Sequence, residues 1–112
     1  MNIVVYCSSC ANLADEYVKS AEALGQWIGS HGHTLVYGGV NAGLMHTVAQ
    51  ATHDAGGKVI GIIPERFRSR ADELNDEVIF TADLAERKAT MIEMANLFVV
   101  LPGGIGTLDE WI

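Results

Sequence analysis

The chain has little of what would carry it to a nucleic acid, a membrane or an oxidising compartment. Basic residues are scarce: seven lysines and arginines stand against fourteen acidic residues, a net charge of −7. Such a surface repels nucleic-acid phosphates and anionic lipid, so neither a nucleic acid nor a membrane is expected as a partner. No apolar run approaches the roughly 20 residues that cross a bilayer. The opening MNIVVYC has neither a basic n-region nor a long apolar stretch, so no signal peptide is expected and a cytoplasmic location is the default. Cysteines are two, in Cys7-Ser8-Ser9-Cys10. This C-x-x-C has no second pair for zinc, no Trp or Pro inside it and no thioredoxin-like order of elements around it, so two free thiols are expected. Dinucleotide and phosphate-loop fingerprints are also missing. The first strand–helix turn holds no glycine, and no G-x-x-x-x-G-K-[ST] occurs.

What is present is a globular composition, 49% hydrophobic and 19% charged, with no low-complexity run. At 112 residues the chain suits one domain. Short β-branched runs alternate with amphipathic segments. Strands are predicted at Ile3–Tyr6, Thr34–Tyr37, Val59–Ile63, Glu77–Phe80 and Leu97–Leu101. Leu13, Tyr17, Ala21, Leu24 and Ile28 mark a first helix, with Gly29 and Gly32 expected to end it. Leu44, Val48, Ala51 and Ala55 mark a second, stopped by Gly56-Gly57. Asp83 is a candidate N-cap for a third, carrying Leu84, Met91, Ile92 and Ala95. Residues 65–77 read as polar and irregular. Strand–helix alternation with continuously apolar strands implies an α/β fold: a Rossmann-like, doubly wound parallel sheet of about five strands with helices on both faces. Residues 1–112 form one unit, with no internal boundary or repeat.

In such folds ligands bind at the carboxyl ends of the strands. Glycines stand at two of those turns: Gly38-Gly39 with Gly43, and Gly103-Gly104 with Gly106. Without Cβ atoms the backbone approaches an anion closely, and N–H groups at the helix start point at it. Thr107 adds a hydroxyl. Glycines relieving crowding at the turns are the plainer alternative for one loop; two loops in one small sheet favour anion binding. Glu110 falls just inside the next helix. It is either a helix-dipole partner or a group that holds a sugar hydroxyl, a cationic transition state or a water. Arg87, in the first turn of the third helix, is either a surface charge or a bidentate partner for phosphate or carboxylate.

Taken together, these segments resemble the Lonely Guy (LOG) family. PGGIGTLDE at 102–110 fits its P-G-G-x-G-T-x-x-E motif. ERKATM at 86–91 is similar to its R-K segment, VYGG…GLM at 36–45 to its second-strand glycine loop, and GGKVIGIIP at 56–64 to its third strand. The resemblance implies hydrolysis of the N-glycosidic bond of cytokinin or purine nucleoside 5′-monophosphates, releasing base and ribose 5-phosphate. It implies Arg87 and Glu110 as the catalytic pair. Gly103, Gly104, Gly106 and Thr107 would hold the 5′-phosphate, and Gly38, Gly39, Gly43, Met45, Arg87 and Lys88 the nucleotide. No metal and no cofactor are implied. Related proteins are often labelled lysine decarboxylases. With three lysines, Lys19, Lys58 and Lys88, and no evident pyridoxal phosphate apparatus, the chain argues against that label. It departs from the family pattern at Ser8-Ser9-Cys10-Ala11, at Val40, at Leu84 and at His46, where a glycine is usual.

Other chemistry-bearing residues carry less. His31 and His33 fall at the opposite edge of the sheet. His46 and His53 are too far apart for a helical metal pair, although His46 lies near the glycine loop. Arg66, Arg68 and Arg70 follow the third strand and read as solvated charge. Trp27 and Trp111 are expected in packing or at an interface. The last helix has few residues after Gly106, so a chain shortened at its carboxyl end is expected. Exposed apolar surface would then favour a homodimer or higher homo-oligomer. A non-catalytic nucleotide-binding module and an inactive fragment are the alternatives to an enzyme.

Overall fold

The computed structural model describes residues 1–6, 15–39 and 43–100. The order is β1 (Asn2–Tyr6), α1 (Asp15–Ser30), β2 (Thr34–Tyr37), α2 (Gly43–Asp54) and β3 (Lys58–Pro64). A 3-10 turn at Glu65–Arg70 follows, then β4 (Glu77–Thr81), α3 (Leu84–Met94) and β5 (Leu97–Val100). All strand pairs are parallel and the sheet order is β4-β3-β2-β1-β5. The chain therefore steps outward from β1 to β4 and returns through α3 to the far side of β1. That reversal leaves a crevice at the carboxyl ends of β1 and β5, where Tyr6 pairs with Val100.

The strands are apolar on both sides because both sides are covered. Ile3, Val5, Leu35, Tyr37 and Val59 pack under α1 and α2 with Ile28, Leu44 and Val48. Val4, Val36, Ile60 and Ile62 face the other way, onto Met91 of α3. Alternation along each strand thus sorts one continuous apolar run into two cores. Among the described residues no helix is long and apolar enough to cross a membrane.

Gly29 does not end the first helix. α1 continues to Ser30, and the stop is Gly32 at φ +71°. Gly25 and Gly29 are instead where α1 meets α2. A Cβ at Gly25 would lie 2.6 Å from Ala51 Cβ, and one at Gly29 2.6 Å from Ala55 Cβ. The two helices approach too closely for anything larger. Asp83 caps α3 as expected: its Oδ1 accepts the Glu86 N–H at 2.8 Å, and Glu86 Oε2 accepts the Ala82 N–H at 3.0 Å. The irregular segment is more ordered than its composition implies, because residues 71–76 are tied to β2 and β3 by side-chain amides and carboxylates.

Candidate functional site

Three elements converge at the carboxyl edge around β2. The strand ends at Tyr37, Gly38 and Gly39 follow, and α2 starts at Gly43. Arg87 comes from the first turn of α3, on the other face of the sheet. A Cβ placed on Gly38 would lie 3.0 Å from Met45 Sδ and 3.3 Å from Arg87 Nη1. Met45 and Arg87 therefore both close on Gly38 at the end of β2, and a side chain at 38 would press on each of them. Arg87 thus reaches further along the edge than its position after β4 suggests. With Lys88, Tyr6, Leu84 and Ala85 it lines an open cleft of about 360 Å3 at the end of β1. Two neighbouring cations on a cleft beside bare backbone suit an anion, and a guanidinium binds phosphate in fork geometry.

Gly39 is required for a different reason. Its φ is +74°, and a Cβ there would lie 2.5 Å from Ile63 Cγ1. Its carbonyl accepts two hydrogen bonds, from Asp72 N at 2.8 Å and from Asn75 Nδ2 at 3.1 Å. Asn75 Oδ1 in turn accepts the Tyr37 hydroxyl at 2.7 Å, and Asp76 Oδ2 accepts the Val59 N–H at 2.7 Å. The 71–76 segment is thus a latch that fixes the glycine turn from above β3. Asp72 is the least exposed charged side chain in it, at 2%. Its Oδ1 accepts the Leu74 N–H at 3.0 Å, and its Oδ2 lies 2.8 Å from His46 Nδ1.

Sequence reasoning missed Asp72 and Asn75. The signal was an Asx turn, Asp72 to Leu74, hidden in a stretch read as solvated. The three arginines are also more than loose charge. Arg68 makes two bonds to Glu65, at 2.7 and 2.9 Å, and its guanidinium lies 3.7 Å over the Phe80 ring. The Glu65 carboxyl is held below its usual range by that arginine, and the Arg68 guanidinium is raised by the same bond. At the opposite edge Trp27, His31 and His33 form a ring cluster, with centroids 4.8 to 6.2 Å apart. Gly103, Gly104, Gly106, Thr107 and Glu110 lie outside the described residues, as do Cys7 and Cys10.

The comparisons with known proteins give one family, while relatives and solved structures of two different names share its fold. The model of the SLOG cluster4 family matches residues 1–112. A cytokinin riboside 5′-monophosphate phosphoribohydrolase of Arabidopsis thaliana is 43% identical over 110 residues, 96% of this chain and 48% of that protein. The enzyme of the same name from Rhodococcoides fascians is 37% identical over 113 residues, 98% of this chain and 57% of that protein. The chain spans about half the length of the curated relatives it matches. Among solved structures, the molybdenum cofactor carrier protein of Chlamydomonas reinhardtii superposes with a TM-score of 0.80 at 29% identity, covering 96% of this chain and 65% of that one. The molybdenum cofactor binding protein of Rippkaea orientalis gives 0.82 at 28%, covering 98% and 67%.

Proposed function

The chain belongs to the SLOG cluster4 family, the LOG family that its motifs resemble, and from that premise we propose that it is a nucleoside 5′-monophosphate phosphoribohydrolase. The observation that carries this reading is the juxtaposition of Arg87 with Gly38 at the carboxyl edge, in a chain 37% to 44% identical to relatives of that name. Residues 1–112 act as one nucleotide-binding unit. Gly103, Gly104, Gly106 and Thr107 hold the 5′-phosphate, and Gly38, Gly39, Gly43, Met45 and Lys88 bound the nucleotide. Cleaving the N-glycosidic bond builds positive charge on the ribose. Glu110 stabilises that charge and orients the attacking water, while Arg87 holds the phosphate or a ribose hydroxyl against it. Two copies associate and the protein works in the cytoplasm.

The test is release of base and ribose 5-phosphate from AMP and from isopentenyladenosine monophosphate. Release by the native chain, lost in Glu110→Ala and in Arg87→Ala, supports the proposal. No release overturns it for this chain. A second reading is a binding module without turnover, favoured by the likeness to cofactor carrier and binding proteins. It expects AMP to bind to native chain and to Glu110→Gln alike, with no base released by either. Light scattering at micromolar concentration tests the association; a clean monomer rules it out.

A further inference from the structure

Among the described residues four large apolar side chains are more than a third exposed: Met1, Tyr6, Trp27 and Leu84. Met1 and Trp27 lie at the amino edge of the sheet, beside His33. Tyr6 and Leu84 lie at the carboxyl edge, 37% and 42% exposed, and they line the same cleft as Arg87 and Lys88. In the nucleotide reading the two cations have a task and the two apolar walls have none. Exposed apolar surface beside converging charge in a concave site is what an organic anion needs.

The fold explains why these walls meet. Side chains alternate along β1: Ile3 and Val5 pack under α1 and α2, and Val4 faces Met91 of α3. Tyr6 is two residues past Val4, so its ring falls on the α3 face at the end of the strand. The Asp83 cap pins the first turn of α3, which brings Leu84, Ala85, Arg87 and Lys88 to the cleft that Tyr6 lines. β1 pairs with β2 in the register Asn2 to Thr34 and Val4 to Val36. Run on by one more pleat, that register sets Tyr6 beside Gly38, about one strand spacing of 4.8 Å away. Gly38 is the residue on which Arg87 closes. A ligand with one polar end at Arg87 therefore lays its neighbouring part over Tyr6. The cleft volume of about 360 Å3 falls within the roughly 300 to 1,000 Å3 of small-molecule pockets.

We propose that Tyr6 is the residue that takes the nucleobase: the base lies on the Tyr6 ring with its edge against Leu84, while Arg87 and Lys88 hold the phosphate or a ribose hydroxyl. The inference rests on the nucleotide reading above and adds to it the group that meets the base. Stacking removes two aromatic faces from water, and every base presents such a face. The contact therefore needs the ring of Tyr6 and not its hydroxyl.

The test measures affinities for AMP and ribose 5-phosphate by calorimetry on the native chain, Tyr6→Ala, Tyr6→Phe and Leu84→Ala, each checked for folding by circular dichroism. Tyr6→Ala weakens AMP roughly tenfold, the effect of one stacked base, and leaves ribose 5-phosphate, which has no base, unchanged. Tyr6→Phe keeps the native affinity for AMP. Leu84→Ala weakens AMP several-fold and spares ribose 5-phosphate. In the native chain, nuclear Overhauser contacts join the adenine protons of bound AMP to the Tyr6 ring, a readout that does not depend on whether Tyr6→Ala folds. Unchanged AMP affinity in folded Tyr6→Ala, or no such contacts in the native complex, overturns the inference and leaves the nucleotide reading intact. Equal weakening of both ligands in Tyr6→Ala also overturns it, since a structural role would do that. Tyr6→Phe as weak as Tyr6→Ala overturns stacking, because the hydroxyl would then carry the contact. Unchanged AMP affinity in Leu84→Ala overturns the part given to Leu84. If the native chain binds neither ligand, the nucleotide reading itself fails, and this one with it.

Discussion

Arg87 Nη1 lies 3.3 Å from the point a Cβ on Gly38 would occupy, although the two residues come from α3 and from the end of β2. The contact joins the two faces of the sheet over one strand end. It also makes the missing side chain at 38 part of how the guanidinium is placed.

Gly38→Ala therefore separates ligand binding from stability. The atoms in its way are the flexible ends of Met45 and Arg87, at 3.0 to 3.3 Å, so the fold yields at a cost of about 1 kcal/mol or less. The guanidinium moves, and AMP affinity falls several-fold. A thermal melt and an AMP titration on the same sample check this; equal AMP affinity would detach Gly38 from the positioning of Arg87.

Gly25→Ala should behave in the opposite way. Its Cβ would lie 2.6 Å from Ala51 Cβ and 2.6 Å from Val48 O, a backbone atom that cannot step aside. Overpacking of this kind costs roughly 1 to 3 kcal/mol. Urea unfolding followed by circular dichroism should show a lower midpoint with little change in slope.

Tyr37→Phe tests the latch. Tyr37 is wholly buried and its hydroxyl bonds Asn75 Oδ1 at 2.7 Å. Removing it takes a donor from Asn75, which also holds the Gly39 carbonyl. A loss of about 1 kcal/mol is expected in equilibrium unfolding. Faster amide hydrogen exchange at 71–76 should accompany it.

His33 should titrate below its ordinary value of 6.5. Burial against its neighbours is the main cause, followed by the Met1 amino group and then His31. Because the folded value is the lower one, the unfolded chain takes up this proton first as pH falls. Stability is full above about 6.5 and declines from there down to the folded midpoint, below which it levels off. An NMR titration of the His33 ring gives the midpoint, and His33→Gln should flatten unfolding stability across that window.

The helix stops show where sequence reasoning holds and where it fails. Gly32 and Gly56, with positive φ, end helices for a local reason that any glycine after a periodic segment advertises. Gly29 looks the same in the sequence and does something else, because its neighbour Ala55 lies far along the chain and only packing brings the two together. The arginine at 87 was legible through its motif. That Arg87 and Met45 both close on Gly38 was not legible, because the sequence shows Gly38 and Met45 only as separate members of a loop.

By itself the sequence determined the layers: apolar runs of strand length, amphipathic segments between them and an Asp at the start of α3 force a parallel sheet covered on both faces. These are short-range effects of side-chain period, propensity and capping, and each acts within a few residues. The tertiary structure alone decided that β5 returns beside β1, that α1 and α2 touch at two glycines, and that Asp72 holds His46. Those depend on groups 26 residues apart or more. Their free energy comes from burial and from hydrogen bonds formed away from water, which no local pattern encodes.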